Sequence, residues 1–256
     1  MSAEMAHPFE LTDEIEVDAT PEEVWNAIAT GPGLDAWFMG RNEVEPREGG
    51  TSRMTLPGFS FDSTVTVWQP PTRLELRSPE GPDGSLHTFE YNVESRAEGN
   101  TRVRWLHHGN LGDNWEAEYE GLGEGDPMYF DKLAKYLTYF RGRTATPVNV
   151  FDGPHVADRE RAWEMFRRAL GLDGPVALGD RVRLTPEGLP PLEGVVDWLS
   201  PSFLGVRTDD GLYRFMHTFD ASVGLGHHIY VEGLDQQATE EAWGAWLNRA
   251  FAEAEA

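Results

Sequence analysis

The sequence predicts an α+β fold in which an antiparallel sheet is covered by a long amphipathic helix and a second, smaller region repeats that plan. Short alternating segments follow one another between residues 52 and 108 with turn-length gaps, a pattern typical of an antiparallel meander. The period becomes helical over residues 126–143. The order of strand, helix, strands and helix then recurs after residue 147.

The N-terminal elements are a strand and a capped helix. Apolar and acidic side chains alternate over residues 9–19, which predicts a half-exposed strand. Residues 20–23, Thr-Pro-Glu-Glu, supply an N-cap, a proline at the first helical position and two acids at the positive end of the helix dipole. The helix is expected to end at Gly31, and the pair Trp37-Phe38 follows it.

A meander and a covering helix complete the first region. Strands are expected over residues 52–56, 61–68, 73–78, 86–96 and 102–108, with Gly and Pro in most of the gaps. Because the inner face of such a sheet is apolar, it needs a cover, and the long amphipathic segment that follows the strands is the predicted helix over residues 126–143. Its bulky aromatic side chains are expected to fill the space beneath it incompletely, which leaves a pocket.

The second half has the same order of elements. A strand is expected at residues 148–151 and a helix at 157–170, and five strands and a closing helix at 238–252 follow. We therefore predict a domain of residues 1–146 and a smaller α+β domain of residues 147–256 that is a truncated repeat of the first. An unrelated α+β appendage is the alternative.

The composition excludes several functions. The 256 residues include no cysteine, so disulfides, thiolate catalysis, Cys-ligated zinc and iron–sulfur clusters are ruled out. The net charge is -23, and a field of that sign repels nucleic acid and anionic membrane surfaces. No apolar run approaches the roughly 20 residues that cross a bilayer, and the N-terminus has no signal pattern. We predict an acidic, cytoplasmic protein without membrane insertion.

Motifs in the first half resemble those of a known superfamily. A strand is followed by the segment ATPEEVWNAI (residues 19–28), a Trp-Phe pair and the segment PREGG (residues 46–50). This order resembles the SRPBCC superfamily, also called START-like, and within it the branch of activators of the heat-shock protein 90 ATPase. The block TRVRWLHHGNLGDNWE (residues 101–116) and the aromatic helix after it are similar to the ending of that branch. The resemblance covers residues 9–143.

The resemblance implies a helix-grip fold, in which a curved antiparallel sheet wraps around a long C-terminal helix and leaves a cavity between them. Members of the superfamily hold apolar or amphipathic small molecules there, and some are aromatase/cyclases, lipid carriers or chaperone-binding proteins. We therefore predict a protein that binds a small apolar or amphipathic molecule and needs no cofactor. A polyketide cyclase/dehydratase-type enzyme is one alternative. A co-chaperone or regulatory module, with a protein partner or as a homodimer, is the other.

The candidate ligand-binding residues lie in three places. Trp37 and Phe38 stand where the superfamily has its pocket mouth, with a core plug as the alternative. On the last strand of the meander, Trp105 and His107 share one face, because residues two apart on a strand point the same way. Five side chains of the long helix are expected to be both core and cavity wall: Tyr129, Phe130, Leu133, Tyr136 and Leu137.

Among these candidates, His107 is the side chain with acid–base chemistry near neutral pH. No motif supplies the carboxylate partner of a catalytic dyad, so no catalytic residue is predicted and His107 is interpreted as a partly exposed residue at a strand end. The pairs His107-His108 and His227-His228 lack the i, i+2 spacing on a strand that directs two imidazoles at one ion. No metal site is therefore predicted.

An acidic run precedes the predicted long helix. It consists of Glu116, Glu118, Glu120, Glu124 and Asp126. Acidic residues are favourable near a helix N-terminus, and runs of like charge are usually solvated. We interpret the run as a solvated loop, with a docking surface for a basic partner as the alternative.

Overall fold

One antiparallel sheet forms the frame of the first unit. The computed structural model describes residues 7–252, and the chain divides into two compact units between Thr144 and Ala145. In the first unit seven strands lie in the order β1-β7-β6-β5-β4-β3-β2. Their bounds are β1 His7–Val17, β2 Arg41–Val44, β3 Thr51–Leu56, β4 Phe59–Gln69, β5 Arg73–Arg77, β6 Leu86–Ser95 and β7 Thr101–Leu111. The sequence does not predict β2, because a single valine among its four residues gives no alternation.

The first helix, α1 (Pro21–Ala29), begins at the predicted cap. The hydroxyl of Thr20 accepts a hydrogen bond from the backbone N–H of Glu23 at 3.2 Å, and the carboxylate of Glu23 accepts one from the N–H of Thr20 at 2.8 Å. This reciprocal pair is a capping box. A short helix, α2 (Gly31–Leu34), follows directly and carries the chain toward Trp37.

The long helix α3 (Trp115–Lys135) begins well before the predicted start at residue 126, and it continues into a π-helical turn at Tyr136–Phe140. The acidic run therefore lies on the helix, and its interpretation as a loop is wrong. The sequence pattern does not predict the first part of this helix, because three glycines and a proline lie between residues 121 and 127. These are the residue types that oppose helix formation most strongly.

The apolar face of α3 lies against the inner face of the sheet. Met128 and Leu133 are fully buried, and the ring of Phe130 stacks on that of Trp105 of β7 with 5.6 Å between centroids. A seven-stranded antiparallel sheet that holds a long C-terminal helix is the helix-grip architecture. The predicted fold class is confirmed.

The second unit is an antiparallel sheet with two helices. Its six strands lie in the order β8-β13-β12-β11-β10-β9. Their bounds are β8 Thr146–Val150, β9 Arg181–Leu184, β10 Leu192–Leu199, β11 Phe203–Arg207, β12 Gly211–His217 and β13 Val223–Ile229, and the helices are α4 Arg159–Ala169 and α5 Gln236–Ala250. As in the first unit, the first strand pairs with the last, a helix separates the first two strands, and a helix closes the unit.

Aromatic side chains fill the interior of the second unit. Trp243 and Trp246 of α5 contact Phe215 of β12, and Phe166 of α4 contacts Phe251 with 4.7 Å between ring centroids. All five are buried. Across both units, no helix within residues 7–252 is long and apolar enough to cross a membrane.

Candidate functional site

A cavity of about 240 Å³ lies between the sheet of the first unit and α3. Strands β2 to β7 all contribute to its wall, as do α3 and the segment after α2. The wall is mostly aromatic and aliphatic, and its polar side chains include Asn42, Ser63, His87, His107 and Asp126. Such a mixture of apolar wall and few polar groups is typical of small-molecule sites.

The structure brings six of the nine candidate residues to the cavity wall. These are Trp37, Phe38, Trp105, His107, Tyr129 and Phe130. The other three, Leu133, Tyr136 and Leu137, are buried further along the helix and are not part of that wall. Leu133 lies a full turn beyond Tyr129, and the helix there packs directly on the sheet, so these three belong to the core.

Trp37 belongs to both the core and the wall. It is 1% exposed, and its indole Nε1–H donates a hydrogen bond to the carbonyl oxygen of Ala27 at 2.9 Å. Phe38 is half-buried, and its ring contacts that of Tyr129 on α3 with 5.3 Å between centroids. Trp37 is thus held by its hydrogen bond to α1, while Phe38 connects the segment after α2 to helix α3.

His107 is not a partly exposed strand-end residue, and that interpretation is wrong. Its side chain is 1% exposed, and its Nδ1 lies 2.6 Å from Oδ2 of Asp126 on α3. The carboxylate partner that no sequence motif supplied comes from the run interpreted as a loop. Because the helix extends back through residue 126, it places Asp126 over the inner face of β7.

A second imidazole extends this pair. Nδ1 of His87 lies 3.0 Å from Nε2 of His107, and Nε2 of His87 lies 3.4 Å from Oε1 of Glu118. In the sheet register His87 pairs with Gly109, and Phe89 pairs with His107. The two histidines are therefore diagonal neighbours on one face, a separation that long side chains span.

Gly109 makes this approach possible. Its φ of +151° is one that other residues rarely adopt, and a Cβ there would stand 1.8 Å from the carbonyl oxygen of Leu86. With no side chain opposite it, the ring of His87 has room to reach His107. We refer to Asp126, His107 and His87 as the imidazole chain.

Burial sets the charge of the groups around the imidazole chain. It lowers the pKa of His87 to about 4, with a further lowering by His107 and an opposing effect of Asp83. Burial raises the pKa of Asp126, against the hydrogen bond from His107, and it also raises the pKa of Glu118. His87 is consequently neutral at neutral pH, with one ring nitrogen free to accept a proton.

Two further wall residues carry polar atoms. Burial raises the pKa of Tyr91, and the charge of Asp126 adds to the effect, so its phenol stays protonated. The indole Nε1 of Trp105 is buried and finds no hydrogen-bond acceptor within residues 7–252. A buried donor without an acceptor is costly, so a ligand oxygen beside it would be stabilised.

The residues that the sequence analysis missed are partly visible in the sequence pattern. His87, Phe89 and Tyr91 alternate along β6, which marks one inward face and puts His87 on it. Asp126 is the first residue of the predicted helix and lies three and four residues before Tyr129 and Phe130, so the helical period puts it on the same face, but its acidic neighbours led to its interpretation as part of a solvated run. Among the described residues, no group of three His, Asp or Glu side chains is arranged to hold a metal ion.

A larger hollow, of about 700 Å³, lies in the second unit at the N-terminal half of α5. Apolar side chains, among them Tyr213 and Trp243, form most of its wall, together with carboxylates that include Asp209, Asp210 and Asp235. It contains no histidine and no cationic side chain. The smaller cavity of the first unit is the better candidate site, because a larger share of its wall is aromatic and two imidazoles linked to a carboxylate are part of it.

Comparisons with known proteins bear on the first unit. Residues 8–128 match a family described as polyketide cyclase / dehydrase and lipid transport. Fold and site define the first unit as a helix-grip domain built around an internal cavity. This unit belongs to the SRPBCC superfamily, as its motifs indicated. A comparison with curated proteins gave no match.

Solved structures similar to the chain cover about half of it. The Aha1 dimer from Colwellia psychrerythraea is 21% identical, with 52% of this chain and 99% of that chain covered and a TM-score of 0.44. CalU16 from Micromonospora echinospora is 22% identical, with 54% and 80% covered and a TM-score of 0.39. An uncharacterised protein from Rhizobium leguminosarum is 19% identical, with 52% and 96% covered and a TM-score of 0.45.

Proposed function

We propose that the protein binds a small apolar or amphipathic molecule in the cavity of the first unit. The observation that carries this proposal is the wall itself, in which aromatic rings from the sheet, from α3 and from the segment after α2 surround about 240 Å³. Burying apolar surface contributes roughly 25 cal/mol per Å². An apolar molecule of matching size gains that energy without reorganising the fold.

The size of the cavity favours a compact ligand. Pockets for drug-sized molecules are about 300–1,000 Å³, and this cavity lies just below that range. A molecule of about two fused rings fits such a volume. Its polar end belongs beside the imidazole chain and Trp105, whose buried indole Nε1 has no hydrogen-bond acceptor among the described residues.

A fluorescent dye tests the proposal. N-phenyl-1-naphthylamine brightens when it leaves water, so titration into the protein should give saturable fluorescence with a stoichiometry of about one per chain. Native mass spectrometry of the purified protein should also detect a co-purifying small molecule. Fluorescence that rises without saturation, and a spectrum with the bare chain alone, would contradict the proposal.

A matched pair of variants locates the binding. Ser63 lines the cavity, whereas Ser60 on the same strand is exposed. Ser63→Phe places a ring inside the cavity and should abolish the dye signal, and Ser60→Phe should leave it unchanged. Equal dye binding by the two variants would place the dye elsewhere.

We also propose that the two predicted domains, residues 1–146 and 147–256, are independent and that the second is a truncated copy of the first. The shared strand order supports this, with one strand fewer in the second sheet. A chain that ends at residue 146 should fold and bind the dye as the whole chain does. A fragment that is unfolded by circular dichroism would contradict independence.

A reaction of the polyketide cyclase/dehydratase type is the second candidate function. The imidazole chain favours it over passive binding, because it supplies an acid–base group inside the cavity.

A further inference from the structure

We propose that the hollow of the second unit is a further binding site, and that its ligand is a small organic cation, an ammonium group on an apolar body. This site is distinct from the cavity of the first unit and does not depend on ligand binding there. Three features of the hollow support it: its volume and aromatic rings, the charge of its wall, and a buried hydroxyl group without a partner.

The hollow has the size and the apolar lining of a small-molecule site. Its volume of about 700 Å³ lies within the range of about 300–1,000 Å³ that is typical of such sites. Helix α5, the segment before β10 and the turn between β11 and β12 all contribute to its wall. The buried rings of Tyr213 and Trp243 stand there with 6.2 Å between their centroids. These rings can cover the apolar body of a ligand, and aromatic faces, above all that of Trp, attract a cation.

The charged groups in the described part of the wall are all acidic. The wall holds no arginine, lysine or histidine among these residues, and its carboxylates are those of Glu193, Asp209, Asp210 and Asp235. They repel an anion and attract a cation. Within residues 7–252 no group of three His, Asp or Glu side chains is arranged to hold a metal ion, so these carboxylates do not converge on one point. An organic cation, which needs no such convergence, fits the wall better than a metal ion does.

Asp210 is the carboxylate best placed to meet the cation. Glu193 already pairs with Arg183 at 3.2 Å. Asp235 caps α5, where it accepts a hydrogen bond from a backbone N–H of the first turn at 3.1 Å and lies at the positive end of the helix dipole. Asp210 accepts a hydrogen bond from the neutral hydroxyl of Thr208 at 2.7 Å, and it forms no ion pair with any residue of the described part of the chain.

A buried hydroxyl group shares the wall with this carboxylate. Tyr213 is 4% exposed, and its hydroxyl has no hydrogen-bond partner within residues 7–252. Burial raises the pKa of this phenol, and the charge of Asp210 raises it further, so the hydroxyl stays protonated. Its oxygen can still accept a hydrogen bond from the N–H of an ammonium group. Because a buried polar group without a partner is costly, a ligand that supplies the partner is stabilised.

The hairpin turn holds the carboxylate and the ring in place. The N–H of Thr208 donates a hydrogen bond to the carbonyl oxygen of Gly211 at 2.9 Å, which closes the turn across Asp209 and Asp210. A Cβ at residue 211 would stand 2.5 Å from the ring of Tyr213. The glycine therefore lets this ring lie against the turn that carries the carboxylate.

Isothermal titration calorimetry of the full chain at pH 7 tests the proposal with two matched probes. The cation is 2-(1-naphthyl)ethylammonium, and 2-(1-naphthyl)ethanol carries a hydroxyl group in place of the ammonium group. The cation should bind with a stoichiometry of about one per chain and at least about tenfold more tightly than the alcohol. Raising sodium chloride from about 0.05 M to about 0.5 M should weaken binding of the cation, because salt screens exposed carboxylates.

Three variants locate the site. Asp210→Asn keeps the shape of the side chain and should weaken binding of the cation by about three- to fivefold, the range expected for an exposed charge. Tyr213→Phe removes the hydroxyl alone and should weaken it by about threefold or more. Glu241→Gln is the matched control, since it removes an exposed charge of α5 that is not part of the wall, and it should leave the affinity unchanged.

The outcomes separate this site from the cavity of the first unit. Equal affinity for the two probes would overturn the proposal, and so would full affinity in both Asp210→Asn and Tyr213→Phe. Displacement of N-phenyl-1-naphthylamine by the cation would place the cation in the first unit and would also overturn it. If the intact protein binds the cation in the expected pattern but does not bind this dye, the site in the second unit stands and ligand binding in the first unit fails.

Discussion

The two units close their sheets with helices in different ways. In the first unit a buried histidine of the last strand, His107, meets the carboxylate of Asp126 on the closing helix. In the second unit a buried histidine of the last strand, His227, meets the ring of Trp243 on the closing helix, with 4.6 Å between centroids. One strand order therefore supports either a polar contact or an aromatic contact between the last strand and the closing helix.

The difference shows where this architecture can vary. The sheet and the closing helix are held by the hydrogen bonds of the strands and by apolar contacts along the helix. The side chains between them are free to fill the space or to leave it open. Filling it stabilises the unit, and leaving it open makes room for a ligand and for groups whose pKa values are shifted by burial.

The largest effect is expected at the aromatic contact of the second unit. Trp243→Ala removes a buried indole that touches Tyr213, Phe215, His227 and Trp246, and it should lower the free energy of unfolding by about 3–5 kcal/mol. Urea denaturation followed by circular dichroism measures it, with exposed Glu241→Ala as the control. A loss below about 1 kcal/mol would mean that the aromatic contacts of Trp243 contribute little to the stability of the second unit.

Overpacking the first unit should have an intermediate effect. Leu133 is fully buried beyond the cavity, so Leu133→Trp has no space to enter and should cost about 1–3 kcal/mol while dye binding survives. Thermal unfolding and dye titration together measure this. An unchanged melting temperature with lost dye binding would place Leu133 on the cavity wall after all.

The pH dependence of stability should distinguish the imidazole chain from the aromatic contact. Because the pKa of His87 is about 4 in the fold and 6.5 is its ordinary value, the unfolded chain binds more protons at this site between those pH values. The free energy of unfolding should therefore rise from pH 4 to 6.5 and then level off. The effect of Asp126 on the free energy of unfolding has the opposite sign. Because its pKa is raised, the folded chain binds more protons at this site above pH 3.8 than the unfolded chain does.

The measurement is urea denaturation of the intact protein and of His87→Gln at several pH values. The rise between pH 4 and 6.5 should be smaller in the variant, and His108→Gln should keep the slope of the intact protein. The same slope in His87→Gln would show that another group causes the pH dependence.

The smallest effect on stability is expected for Asp126→Asn. The amide keeps the size of the carboxylate, and it removes a buried charge whose raised pKa shows that it is poorly solvated. The free energy of unfolding at pH 7 should change by less than about 1 kcal/mol, because loss of the charged hydrogen bond and relief of burial oppose each other. A loss above about 3 kcal/mol would make Asp126 chiefly a structural residue.

Much of the fold was predictable from local signals. The cap at Thr20, the alternation of Trp105 with His107 and the aromatic period from Tyr129 each arise from neighbours in the chain, so the sequence alone reveals them. The contact of His107 with Asp126 was not predictable in this way. It joins two elements, and it exists because the glycine-rich segment folds as a helix against its own propensity once the sheet is present to pack on.

The glycine-rich segment also affects how often the first half of α3 unfolds locally. Helix α3 carries glycines at 121, 123 and 125 and Pro127 in the part that covers the cavity, and Leu122 of this part lies in the cavity wall. Each glycine weakens a helix by about 1 kcal/mol relative to alanine, and proline removes a backbone hydrogen bond. We expect the first half of α3 to unfold locally far more often than the sheet does, with fast amide exchange over residues 115–126. Because Glu118 and Asp126 lie on this half of the helix, each opening also separates both carboxylates from the imidazoles of His87 and His107. The contacts of the imidazole chain with α3 then form again only when the helix re-forms.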